Sequence, residues 1–281
     1  MIRPSVPVRT DAARWLWLSV VAAVLAMAGN VVALARPVLY AELTPAFLPQ
    51  AYAQDVANLA LISPMMLVCA GLALRGSERA YLVWLGTVSF TVYNYVIYTV
   101  AVPFGPLFLL WVAVLGLSTY ALLGGLVALD PSIARRFTAH RVVTVVGWAL
   151  IVVGLLFALL WLSEDVPSLV GGTTPPSVAD LGVPTNPVHV LDLAIYLPAV
   201  IGAGVGTLRR HPYAIAVTPA PLVFLILTGV PILITPVVQN AIGQSAAWGA
   251  AAVIGPLTLV LTALLVWLVV SLAAPSGPST E

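Results

Sequence analysis

Two short stretches carry the groups best able to do chemistry. "QDVANLALISP" (54–64) places Asp55 and Asn58 three residues apart, and "VHVLDLAIYLP" (188–198) does the same with His189 and Asp192. Residues three apart share one helix face, so each pair presents two polar groups together. Histidine changes charge nearest neutral pH, which makes His189 a candidate proton-exchange partner for Asp192 or Asp55. One imidazole with carboxylate and amide oxygens also suits a divalent cation, with His189, Asp192 and Asp55 as the candidate ligands. A third stripe, Thr87, Thr91, Asn94 and Tyr98, spaced 4, 3 and 4, adds hydrogen-bonding groups flanked by Tyr93 and Tyr95. The candidate ligand-binding set is therefore Asp55, Asn58, Asn94, Tyr98, His189 and Asp192.

Each of these residues also has a plain structural role open to it. Asn186 followed by Pro187 is a good helix start, and Asp192 is then an early-turn acid favoured by the helix dipole. Asp55 could sit in interfacial water, and tyrosines near span ends serve as interfacial anchors.

Other chemistries are missing from the sequence. All 11 basic residues other than histidine are arginine, so no lysine can form a Schiff base with retinal or pyridoxal phosphate. The single cysteine, Cys69, lies in an apolar run and can form neither an internal disulfide nor a paired-thiol centre. No span carries histidines four apart for haem or zinc, and no Walker loop, nucleophile elbow or arginine ladder occurs. No cofactor is assigned. Trp15, Trp17, Trp111, Trp161 and Trp248 fall at span ends or packing positions, and His140 and His211 fall among loop arginines.

The elements that must position these groups follow from composition. The chain is 61% hydrophobic and 7% charged, with a mean hydropathy of +1.08; soluble domains carry about 25% charged residues. The expected class is an all-α integral membrane protein in the lipid bilayer. The net charge of +1 gives no nucleic-acid footprint. Runs of about 20 apolar residues predict eight spans at 15–35, 54–74, 80–102, 105–128, 142–162, 188–208, 213–237 and 246–272. Arg3, Arg9, Arg14, Arg75, Arg79, Arg135, Arg136, Arg141, Arg209 and Arg210 fall on one side of these spans, and only Arg36 on the other. By the positive-inside rule both termini are cytoplasmic in the plasma membrane. "ALARP" offers a cleavage site after Ala33-Leu34-Ala35, but the apolar run before it is long for a signal peptide, and the first helix is expected to be retained. The stretch 163–187, rich in Gly, Pro, Ser and Thr, predicts an irregular outer loop, and 274–281 a disordered tail.

At a constant offset of 134, Asp55 meets His189, Asn58 meets Asp192, Pro64 meets Pro198 and Arg75 meets Arg209. This predicts two parallel four-helix halves, 1–134 and 135–273, related by an axis along the membrane normal. Seventeen residues separate Arg75 from Asn58 and Arg209 from Asp192, roughly 25 Å at helical rise, so both polar pairs lie near the outer ends of their spans. A carboxylate inside a span is penalised by about 2.5–3.5 kcal/mol at the bilayer centre and usually faces a functional interior. The expectation is a binding or transport protein with an outward-facing site for a small ligand, cation or proton. The alternatives are an intramembrane enzyme acting on a lipid, quinone or isoprenoid through a His/Asp acid–base pair, and a structural subunit of a membrane complex.

Overall fold

The computed structural model describes residues 12–273; Arg3, Arg9 and the 274–281 tail lie outside the described residues. Among the described residues, eight helices are long and apolar enough to cross a membrane: α1 (Ala12–Ala35), α2 (Leu48–Leu74), α3 (Glu78–Ala101), α4 (Phe108–Ala128), α5 (His140–Gly171), α6 (Pro187–Leu208), α7 (Pro212–Ala241) and α8 (Trp248–Val270). This is the architecture of a polytopic membrane protein.

The segment 163–187 departs from the expected irregular loop. α5 runs on through it to Gly171, and Pro176–Leu181 adds a further helical turn. Pro167 removes the ladder bond to the Ser163 carbonyl, yet α5 continues about one turn past it to Gly171. The extension is anchored from outside, because Glu164 accepts the Ser177 backbone N–H at 2.8 Å and Asp165 meets His189 at 2.9 Å. At 32 residues, α5 is roughly 48 Å long, beyond the ~30 Å apolar thickness of a bilayer.

Helices α1 to α4 close a ring, with α1 on α2, α2 on α3, α3 on α4 and α4 back on α1. Helices α5 to α8 follow the same order, with a looser α5–α8 contact. The two groups meet where α7 packs against α3 and α2, and where α6 touches α3. Small residues allow these approaches in the absence of a strong hydrophobic drive between helices in lipid. Gly124 lies on the Trp15 ring, Gly125 on Trp84, and Gly204 on the Gly147 carbonyl, whereas Gly202 faces open space. α3 is the most buried of the eight, so its polar stripe lies inside the protein.

Helices α2 and α6 share local backbone features at the 134-residue offset. α2 widens into a π segment at Asn58–Ile62, and α6 does so at Asp192–Tyr196. α2 ends with Gly76 donating to Ala73 and Ser77 to Leu72; α6 ends with Arg210 donating to Thr207 and His211 to Gly206. The turn residue is left-handed in both, Gly76 at φ 93° and Arg210 at φ 59°.

The arginine-bearing turns other than that of Arg36 lie at one end of the bundle. There Arg136 pairs with buried Glu78, and Arg79 and Arg136 donate to the carbonyls of Leu272 and Ala273 just beyond α8. Arg136→Met is expected to cost about 2–4 kcal/mol, since it strands a buried carboxylate. The added change Glu78→Gln should recover at least half of that loss, as read by reversible unfolding in mixed micelles and a double-mutant cycle.

Candidate functional site

At the opposite end, a cavity of about 440 Å³ opens among α2, α3, α5, α6, α7 and α8. Its mouth holds Gln50, Gln54, Glu164, Ser177, Asp180 and Asn186. Its walls are aromatic, from Phe90, Tyr93 and Tyr98 of α3, Phe157 and Trp161 of α5, and Phe224 of α7. The deep end is aliphatic, with Leu225, Leu257 and Leu261.

Four of the six residues singled out from the sequence line this cavity: Asn94, Tyr98, His189 and Asp192. Asp55 and Asn58 lie one layer behind the wall. Asp55 is fully buried and accepts the Tyr40 hydroxyl at 2.8 Å and the Tyr98 hydroxyl at 2.6 Å, one on each carboxylate oxygen. Burial, and then the Asp55 charge, push the Tyr40 phenol above its ordinary range, which keeps it a proton donor. The Asn58 carbonyl oxygen accepts Gln54 at 3.0 Å and Asn94 at 3.2 Å. Asp55 thus fixes the ring of Tyr98, and Asn58 fixes the amides of Gln54 and Asn94. The wall-lining groups are held by the two residues that do not line the wall.

On the α6 side the partners come from the α5 extension. The Trp161 indole donates to Asp192 Oδ2 at 2.8 Å, and its ring stacks on His189 at 4.5 Å between centroids. His189 Nδ1 faces Asp165 rather than Asp192. The side chain read as a span-end tryptophan is therefore a direct partner of both candidates. Trp161, Glu164, Asp165 and Ser168 follow the i, i+3, i+4, i+7 spacing of one helix face. That spacing was the available signal, hidden by the Gly- and Pro-rich composition downstream.

The Asp192 carboxylate receives its single hydrogen bond among the described residues from Trp161. Close to it, the buried hydroxyl of Tyr93 faces the carboxylate without meeting it in full hydrogen-bond geometry, and has no other partner among the described residues. Among the described residues, no three His, Cys, Asp or Glu side chains gather as a metal-ligand set; Asp55 lies behind the wall with Tyr40 and Tyr98, and His189 pairs with Asp165. His140 and His211 are exposed at the arginine end. No protein family, curated protein or solved structure matches this chain.

Proposed function

We propose that this chain is a binding or transport protein of the plasma membrane, with both termini cytoplasmic and an outward-facing site for a small ligand between two parallel four-helix halves. The observation that carries the proposal is the cavity itself. It is apolar and aromatic along its length, yet holds a carboxylate at Asp192 with one full hydrogen bond and, facing it, a Tyr93 hydroxyl that makes none among the described residues. Ligand sites are typically concave and mostly apolar with a few convergent polar groups, in volumes of about 300–1,000 Å³. Asp192, His189, Asn94 and Tyr98 meet the ligand; Asp55 and Asn58 position the wall. The clustering of arginines at the far end supports the orientation. The matched π segments, helix caps and ring order of the helices support the two halves, and a site near the axis relating such halves is where repeated membrane folds place their cargo.

The test is thermal unfolding in detergent against a panel of small organic cations, anions and neutral molecules. At least one class should raise the melting temperature of the unmodified protein. Thr228→Trp, which fills the cavity from α7, should abolish that response while leaving the ligand-free melting temperature within a few degrees. A panel with no stabilising member overturns the proposal and leaves these polar groups as ties between helices.

A further inference from the structure

Resting on the cavity as a ligand site, we infer that its ligand is an organic cation, an ammonium group on an apolar body, with the charge held between Asp192 and the aromatic faces around it. The charges lining the cavity are unbalanced. Among the described residues lining it, Glu164, Asp180 and Asp192 are acidic, the one basic group is His189, and no arginine is present. His189 already faces Asp165, and Glu164 already accepts the Ser177 backbone. Asp180 is exposed at the mouth, which leaves Asp192, 6% exposed, as the deep carboxylate with spare accepting capacity. A buried carboxylate is stable only when paired or hydrogen-bonded, and one indole donor is a partial answer. An anionic ligand would make the imbalance worse; a cationic one would close it.

The surrounding rings point the same way. Tyr93 meets Phe224 edge-on at 5.3 Å, and Phe90 lies 6.4 Å from Phe224. Trp161, which donates to Asp192, contributes a further ring to the wall. Aromatic faces attract ammonium groups, most strongly where water is excluded. The Tyr93 hydroxyl, turned toward Asp192 without a full hydrogen bond to it, keeps its oxygen lone pairs for an N–H or can rest against a methylated head. Below this level the aliphatic end, Leu225, Leu257 and Leu261, suits an uncharged body. A bare inorganic cation needs neither the rings nor the aliphatic end.

The experiment measures equilibrium binding of radiolabelled benzyltrimethylammonium to the full chain in nanodiscs. Competition is then run with its uncharged carbon isostere, neopentylbenzene, and with benzylsulfonate, at equal aqueous concentrations. Expected are saturable binding of the cation, at least tenfold weaker displacement by both competitors, and at least a tenfold loss of affinity in Asp192→Asn. Phe224→Leu, which keeps an apolar side chain but removes a ring, should weaken the cation several-fold. The competition arm needs no variant, so it stands even where a substitution fails to fold. Equal binding of the isostere or the sulfonate overturns the cation assignment and leaves the cavity as a ligand site. Absence of binding by all three probes overturns the cation assignment, and a silent panel in the thermal test removes the ligand-site proposal with it.

Discussion

Asp55→Ala is expected to lower stability by about 3 kcal/mol or more, the summed loss of two hydrogen bonds to a charged acceptor. The carboxylate is fully enclosed and joins three pieces of chain: α2, the turn carrying Tyr40, and α3 through Tyr98. Removing it leaves two buried phenols without acceptors as well as a void. Asp55→Asn, which keeps one oxygen, should fall between alanine and the native residue. The triple change Asp55→Leu, Tyr40→Phe, Tyr98→Phe removes every member of the network together, and such replacements cost far less than breaking one partner. Unfolding followed by tryptophan fluorescence in mixed micelles measures all four proteins. Asp55 does not reach the cavity but Tyr98 does, so the triple variant should respond to ligand as Tyr98→Phe alone does. A stable triple variant whose response falls well below that of Tyr98→Phe would mean Asp55 acts on the ligand itself.

The helices were legible in the sequence because an apolar run long enough to cross a bilayer is rarely anything but a membrane span. The expected and observed spans agree to within a few residues at most ends, with α2 and α7 longer than read and α5 the largest departure. There the stretch after Trp161 turns polar, so hydropathy no longer marks a helix, and only the spacing of Trp161, Glu164, Asp165 and Ser168 betrays it. The polar pairs were legible as unusual, but their rotation was not. Gln54 lines the cavity and Asp55 does not, a difference of one residue, or about 100° around a helix of 3.6 residues per turn. That angle is set by partners distant in sequence. Tyr40 comes from a turn before α2, and Asn94 and Tyr98 come from α3. The offset of 134 aligned Asp55 with His189, and both find a partner at the same end of the bundle: phenols for the aspartate, a carboxylate and an indole ring for the histidine. The difference in type therefore changes what each wall can present, since only the α6 side places its carboxylate in the cavity.

Gly86→Val is expected to cost about 3 kcal/mol or more, at or above the top of the usual range for overpacking, and to remove ligand-dependent stabilisation as well. A Cβ at Gly86 would stand 2.5 Å from both the Ala220 carbonyl oxygen and Val223 Cβ. Neither atom is the free end of a flexible side chain, so α3 and α7 must separate. This contact is the main seam between the α1–α4 and α5–α8 groups, and the cavity depends on it. Gly86, Phe90 and Tyr93 fall at i, i+4 and i+7 on one face of α3, and Ala220 and Phe224 fall four apart on α7. The close approach at the glycine is thus what brings Tyr93 and Phe224 edge to face one turn and more above it. Gly116→Val on α4 is the control, because a Cβ there meets nothing within 4 Å; it should change stability by no more than about 0.5 kcal/mol and leave the ligand response intact. If Gly86→Val lost the response without losing stability, the seam would be adjustable and the glycine would govern the shape of the site alone. If it lost neither, α3 and α7 would not hold the aromatic wall together, and the cavity would have to be maintained by the α5–α6 pair.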